Sequence, residues 1–146
     1  MRLTKGRALA VGGALAGMLA GGPAAYATLQ GAEAGRGTPY AETRLYFGTE
    51  RPDGGPAVTD EQFMDFIDRK VTPAFPEGLT LHQGVGQWRD STGTIERERS
   101  YELTLLYPAG QAGDRDARIE AIRDAYEKEF AQDSVGRADD TARVDF

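Results

Sequence analysis

Two side chains in the sequence are of the kinds that transfer protons in enzymes, and a predicted hairpin places them opposite each other. His82 is the single histidine of the 146-residue chain, and Glu102 lies on the strand that we expect to pair with its own. A carboxylate that orients an imidazole makes a general base. The same cross-strand pair also occurs as ordinary sheet stabilisation, and a single unaided histidine favours that interpretation. His82 and Glu102 are the candidate catalytic residues.

A second group of side chains is suited to binding. Arg97 and Arg99 alternate with glutamates along a predicted strand, and with Arg89 they could grip a carboxylate or a phosphate. We favour a solvated or salt-bridged hairpin arm instead, because alternating charge also discourages edge pairing. Trp88 and Tyr46 offer flat rings that could stack on a ligand or anchor an interface. The candidate ligand-binding or interface residues are Tyr46, Trp88, Arg89, Arg97 and Arg99.

The composition excludes several kinds of site. The chain has no cysteine and one histidine, which removes thiol nucleophiles, cysteine-rich zinc sites and multi-histidine metal cages. No spaced acidic calcium loop and no phosphate-binding loop occurs, so we expect no metal and no cofactor. Lys and Arg total 17 against 23 Asp and Glu, a net charge of −6. An acidic chain lacks the basic surface that nucleic acid requires, so nucleic acid is not an expected partner.

The first 27 residues have the features of an export signal. Three basic residues precede an apolar stretch over residues 8–22, and a small-x-small cleavage site follows at residues 25–27. The apolar stretch is too short and too rich in glycine to span a bilayer comfortably. No adjacent arginine pair and no lipid-accepting cysteine occurs. We therefore expect general secretion, no stable membrane span after cleavage, and a location outside the cell or in its envelope.

A single domain is predicted after the export signal. Residues 28–41 lack periodicity and contain several glycines, which predicts a flexible tether. Residues 42–146 are enough for one core and too few for two. Within them, Thr43, Leu45 and Phe47 alternate with polar residues and predict a first strand.

Helix and hairpin signals follow this strand. Thr59 and Gln62 have capping-box spacing and predict the start of a helix, which Pro73 ends. Strands over residues 79–88 and 94–107 form a hairpin, with Leu81 opposite Leu103, His82 opposite Glu102 and Trp88 opposite Glu96. A second helix, capped by Asp114 or Asp116, precedes a last strand within residues 134–146 that is broken near residues 138–141.

The predicted order is β-α-β-β-α-β, which indicates an α+β fold, the ferredoxin-like sandwich. Right-handed crossovers place both helices on one face of a four-stranded antiparallel sheet. The other face is left uncovered, and by strand alternation it carries Tyr46, His82, Trp88 and Glu102. This open face is where we expect function.

Four short motifs follow one another along the predicted domain. They are Leu45-Tyr46-Phe47-Gly48, Thr72-Pro73-Ala74-Phe75-Pro76 with Gly78-Leu79-Thr80, Gly86-Gln87-Trp88-Arg89 and Arg97-Glu98-Arg99-Ser100. With these motifs in this order, the chain resembles the small bacterial family classified as domain of unknown function 3574, over about residues 42–146. The resemblance implies one module, frequent export and no assigned activity, so no catalytic residue is carried over.

The leading hypothesis is a non-enzymatic exported module. Its open face would bind a second copy, giving a homodimer, or a small-molecule or protein ligand, because catalytic groups are few. The alternative is a small cofactor-independent enzyme resembling the dimeric α/β-barrel oxygenases or isomerases, an analogy of fold alone. In that enzyme His82 would be the base, Glu102 would orient it, and Arg97 or Arg99 would hold an anion.

Overall fold

The computed structural model describes residues 36–89 and 92–146. The predicted export signal and residues 28–35 of the predicted tether lie outside the described residues. Within the described part of the chain, no helix is long and apolar enough to cross a membrane.

The described residues form a four-stranded antiparallel sheet and two helices, which confirms the α+β class. In the sheet the strands lie in the order β2-β3-β1-β4, so that β3 separates β1 from β2. A π-helical turn, Ile67–Val71, continues the first helix, and a 3₁₀ turn, Ala109–Gln111, precedes the second. The elements are β1 (Thr38–Gly48), α1 (Asp60–Phe66), β2 (Thr80–Arg89), β3 (Ile95–Pro108), α2 (Ala112–Phe130) and β4 (Gly136–Val144).

The register of the β2–β3 hairpin agrees with the apolar matching in the sequence. Leu81 pairs with Leu103, His82 with Glu102 and Trp88 with Glu96. Because successive side chains of a strand point to opposite faces, even-numbered residues of β2 and β3 share the face that also carries Tyr46 of β1.

Both helices pack on the odd-numbered face of β1 and β3. Leu45 and Phe47 of β1 are fully buried there, and Tyr126 of α2 lies edge-on to Phe47 with ring centroids 4.7 Å apart. The Tyr126 hydroxyl donates a hydrogen bond of 2.8 Å to the carbonyl of Gly48. One core therefore joins the sheet to both helices, and its members include Leu45, Phe47, Phe63, Phe66, Leu103, Leu105, Ile119, Ile122, Tyr126 and Phe130.

The N-terminus of α1 is capped as its sequence predicts. The Thr59 side chain accepts a hydrogen bond from the backbone N–H of Gln62, and the Gln62 side chain accepts one from the N–H of Thr59. This reciprocal pair satisfies two backbone donors that the first turn of a helix otherwise leaves free. Val58, just before the cap, is fully buried and fixes where α1 meets the sheet.

Three details of the strands and helices differ from the sequence prediction. β1 begins at Thr38, so residues 38–41 are strand and not tether, because β1 pairs with β4 from Thr38 opposite Val144. α2 begins at Ala112, and neither Asp114 nor Asp116 caps it, since the preceding 3₁₀ turn leads directly into the helix. β4 is continuous over Gly136–Val144, because pairing with β1 overrides its polar composition.

Candidate functional site

A cleft of about 810 Å³ opens at one end of the sheet, beside the tip of the β2–β3 hairpin. The segment after β1, the open face of the hairpin and the segment after α2 form its walls. The cleft is lined by Gly48, Glu50, Arg51, Pro52, Trp88, Glu96, Glu98, Gln132, Asp133 and Ser134.

Glu98 of β3 fixes the floor of the cleft. One carboxylate oxygen, Oε2, accepts hydrogen bonds of 2.7 Å from the backbone N–H groups of Thr49 and Glu50. Hydrogen bonds to an ionised carboxylate are shorter and stronger than those between neutral groups. Glu98 therefore holds the segment after β1 against the hairpin.

Two glycines make room for the Glu98 side chain. A Cβ atom on Gly48 would lie 2.9 Å from both carboxylate oxygens of Glu98, closer than a real contact allows. A Cβ atom on Gly86, which pairs with Glu98 in the hairpin, would lie 3.3 Å from its Cγ. A side chain at position 48 would therefore force the Glu98 carboxylate to shift from its present place.

Further hydrogen bonds fix the other walls. The buried Thr49 hydroxyl donates to the carbonyl of Arg99 at 2.7 Å. The side-chain amide of Gln132, in the segment after α2, donates to the carbonyl of Glu50 at 2.7 Å. Hydrogen bonds within the chain thus join the three segments that form the walls of the cleft.

Arg51 is the single basic residue among those that line the cleft. Its guanidinium lies over the Phe130 ring, 5.7 Å from the centroid, and its Nε atom is buried with no hydrogen-bond partner. Among the residues that the structure describes, no carboxylate forms an ion pair with Arg51. The guanidinium of Arg51 therefore has N–H donors that could bind a ligand.

The outer rim of the cleft combines an aromatic ring with acidic side chains. The Trp88 side chain is 48% exposed on the open face of β2. Glu50, Glu96 and Asp133 are exposed, and their carboxylates make no hydrogen bond or ion pair within residues 36–89 and 92–146. Such an arrangement can hold an organic molecule against the ring while charged groups orient it.

Two tyrosines near this site have a raised pKa because they are buried. Burial raises the pKa of the Tyr126 hydroxyl, and the nearby negative charge of Glu98 raises it further. Burial and a hydrogen bond to Asp60 raise the pKa of Tyr101 to about 12. Both phenols therefore stay protonated donors at neutral pH and serve the core.

The candidate catalytic pair lies outside this cleft. His82 is exposed on β2 and faces Glu102 across the hairpin. Within the described part of the chain, neither a hydrogen bond nor an ion pair joins the two side chains. The backbone brings them to one place, and neither residue lines the cleft.

The residues that the sequence predicts to bind a ligand do not lie together in the structure. Trp88 lines the cleft, whereas Tyr46, 38% exposed, lies elsewhere on the open face. Arg99 donates to the carbonyl of Val58 at 2.5 Å and pairs with Asp60 at 3.0 Å. Arg97 donates to Gln87 at 2.9 Å.

The arginine candidates therefore do not share a site with Trp88. Arg89 is exposed near the hairpin tip. Arg97 and Arg99 line a shallower hollow of about 330 Å³, which shares Glu50 and Glu98 with the cleft but does not include Trp88. They lie on the face of the hairpin opposite Trp88, because their positions are odd-numbered in β3.

Sequence reasoning missed most of the cleft. Glu50, Arg51 and Asp133 lie in connections between elements, where no periodic pattern marks them. The signal that existed was Glu98 next to Gly86 in the hairpin, together with the glycine that ends β1. Among the described residues, no group of three or more His, Cys, Asp or Glu side chains is placed to hold a metal ion.

One family model matches the chain, "Protein of unknown function (DUF3574)", over residues 42–146. The chain therefore belongs to that family. No curated protein sequence matches it.

The solved structures that share the fold include two of a phage SAM lyase. A phage SAM lyase in complex with S-methyl-5′-thioadenosine is 17% identical, with a TM-score of 0.55, over 75% of this chain and 91% of that one. A phage SAM lyase in the apo state is 16% identical, with a TM-score of 0.51, over 77% and 94%. At such identity the likeness shows the fold alone.

Proposed function

We propose that this member of the family is a ligand-binding module that holds a small organic molecule in the cleft against Trp88. The observation that carries the proposal is a cleft of about 810 Å³ with Trp88 half-exposed on its rim. That volume lies within the range of about 300–1,000 Å³ typical of small-molecule sites.

The hydrogen bonds that join the walls of the cleft support this proposal. Glu98, Thr49 and Gln132 hold the three wall segments together with hydrogen bonds of 2.7 Å. Wall segments that are fixed by the chain's own hydrogen bonds lose less conformational entropy when a ligand binds. An exposed tryptophan offers a large, rigid contact area at little entropic cost.

The fold likeness gives a first choice of ligand to test. A protein of this fold, the phage SAM lyase, has been solved with S-methyl-5′-thioadenosine, a flat nucleoside derivative. A flat base could stack on Trp88 of this chain. The test panel therefore contains S-methyl-5′-thioadenosine, S-adenosylmethionine and the twenty protein amino acids.

Native mass spectrometry of the mature protein tests the proposal. We expect at least one compound of the panel to add its mass to the wild-type protein, and we expect Trp88→Ala to lose it. Tyr46→Ala is the matched control, because it removes another exposed ring of the open face outside the cleft. If no compound adds mass, or if Trp88→Ala retains the adduct, the proposed site is wrong.

Homodimerisation through the open face is the competing use of the same residues. Trp88, Tyr46 and the arginines of the hairpin would then lie against a second copy, and Trp at such positions often dominates an interface. The same spectrum distinguishes the two. A bare dimer that Trp88→Ala converts to monomer would replace the ligand proposal with this one.

Catalysis is a second candidate, and its support is that the similar solved structures are lyases. A cofactor-independent enzyme of this fold would use His82 as base with Glu102 beside it. Incubation with S-adenosylmethionine and chromatography of the products tests the idea, and His82→Ala should abolish turnover while the protein stays folded. Full turnover in that variant would exclude His82, and no turnover in the wild type would contradict the proposed activity on S-adenosylmethionine.

We also propose that the protein acts outside the cytoplasmic membrane. The support is the basic, apolar and small-residue pattern of the first 27 residues. Mass analysis of the protein from culture medium and envelope fractions should find a mature N-terminus at Thr28. An uncleaved chain confined to the cytoplasm would contradict export.

A further inference from the structure

We infer that the cleft selects a zwitterion whose carboxylate binds Arg51 and whose positive group faces the acidic rim. This inference rests on the proposed function and adds the chemical class of the ligand: an α-amino acid or an amino-acid derivative. Its apolar or flat part would lie against Trp88.

Arg51 is the first step of the argument. Its Nε atom is buried without an acceptor, and no described carboxylate pairs with its guanidinium, although four acidic residues line the same cleft. Phe130 beneath it supplies a cation–π contact, which holds the planar group in place without occupying its N–H donors. A planar guanidinium with free donors matches the geometry of a carboxylate.

The Nε atoms of Arg44 and Arg99 are also buried without an acceptor, but these two arginines form ion pairs with Glu42 and Asp60, and Arg51 forms none with a described residue. Arg137 pairs with Asp116 at 2.8 Å and with Glu120 at 2.6 Å. Arg115, largely buried, pairs with Glu77 at 2.6 Å. Where this fold buries a guanidinium for structural purposes, it supplies a carboxylate, and at Arg51 it supplies none.

The acidic side chains of the rim indicate that the ligand also carries a positive group. Glu50, Glu96 and Asp133 carry three negative charges around the opening, and their carboxylates have no partner within the described residues. Glu98 differs from them, because two backbone N–H groups already occupy its Oε2 atom. A simple anion would be repelled by these three charges on its way to Arg51, whereas a positive group next to the carboxylate would offset the repulsion.

Calorimetry with matched pairs of compounds tests the assignment. Each pair consists of an acid and the amine that lacks only its carboxylate: S-adenosylmethionine with decarboxylated S-adenosylmethionine, L-phenylalanine with phenethylamine, and L-arginine with agmatine. For the pair that binds, we expect the acid to bind wild-type protein at least tenfold more tightly than the amine. Arg51→Gln should remove this difference, since the glutamine side chain carries no charge.

Arg97→Gln is the matched control, because it removes an equal charge from the opposite face of the hairpin and should keep the preference for the acid. Urea unfolding of each variant confirms that the protein stays folded. Glu96→Gln should weaken both members of the pair and leave their ratio unchanged, since it acts on the positive group that both share.

The outcomes separate this inference from the proposed function. If acid and amine bind equally, or if Arg51→Gln keeps the preference, the assignment of Arg51 is wrong while the cleft remains a binding site. If only the uncharged S-methyl-5′-thioadenosine binds, the zwitterion is wrong. If no compound binds, both the inference and the proposed function fail.

Discussion

The two sides of the sheet use the same kinds of side chain in different ways. On the helix side, aromatic rings contact one another and are buried, as Phe47 is against Tyr126. In the cleft, the Trp88 ring is half-exposed. On the helix side Arg115 pairs with a carboxylate, whereas Arg51 in the cleft has none. The side chains that build this fold contact partners within the chain, whereas Trp88 and Arg51 in the cleft have surface and N–H donors that a ligand could contact.

The largest effect should come from removing a ring on the helix side. Phe47→Ala should lower the free energy of unfolding by about 3–5 kcal/mol, because it leaves a cavity among tightly packed rings. Trp88→Ala removes a larger ring and should cost about 1 kcal/mol or less, as surface substitutions do. Urea unfolding measures both. Equal losses would mean that Trp88 belongs to the core and would erase the contrast between the two regions.

Gly48 lies where the two regions meet, and replacing it should have an intermediate effect. Gly48→Ala should cost about 1–3 kcal/mol, because the new Cβ displaces the Glu98 carboxylate and leaves two backbone N–H groups without their acceptor. Gly84→Ala, on β2, is the control, since no atom lies within 4 Å of its added Cβ. Its change should stay within about 0.5 kcal/mol.

Ligand binding by the same two glycine variants tests whether Glu98 shapes the cleft. Gly48→Ala should weaken any compound that binds the cleft, whereas Gly84→Ala should not. If Gly48→Ala is as stable as the wild type and binds as well, Glu98 does not fix the floor of the cleft.

The smallest expected effect is a pH dependence of the free energy of unfolding that comes from Tyr101 in the core. The pKa of Tyr101 is raised to about 12 in the folded protein, so the unfolded state loses this proton at lower pH. Its contribution to stability is therefore complete below pH 10 and is lost as pH rises toward 12. Unfolding at pH 9 and pH 11 should show a decrease that is smaller in Tyr101→Phe. Tyr46→Phe, which removes an exposed hydroxyl, should behave as the wild type; an identical decrease in all three proteins would contradict the assignment.

The sequence predicts the framework of this molecule because the framework follows local and periodic signals. Alternating apolar residues determine the hairpin register, including His82 opposite Glu102, and the capping box determines where α1 begins. The start of β1 is hidden by Gly37 and Pro39, because its pairing with β4 depends on residues more than 90 positions away. Periodicity contains no information about such distant partners.

The cleft is less predictable for the same reason. Trp88 is recognisable as an exposed ring, but Arg51 and Asp133 come from two connections that only tertiary contacts bring together. The arginines that the charge pattern marks, Arg97 and Arg99, have partners within the chain. Composition shows that a charged residue exists, and only the structure shows whether its charge is already paired.

The fluorescence of Trp88 tests the central claim most directly, since it is the single tryptophan of the chain. Emission and its quenching by acrylamide should be measured on the mature protein across the ligand panel. We predict that at least one zwitterionic compound changes the emission saturably and protects the ring from acrylamide. We also predict that Arg51→Gln weakens this response and that Arg97→Gln does not. An emission and a quenching constant that no compound alters would show that the cleft is not a binding site.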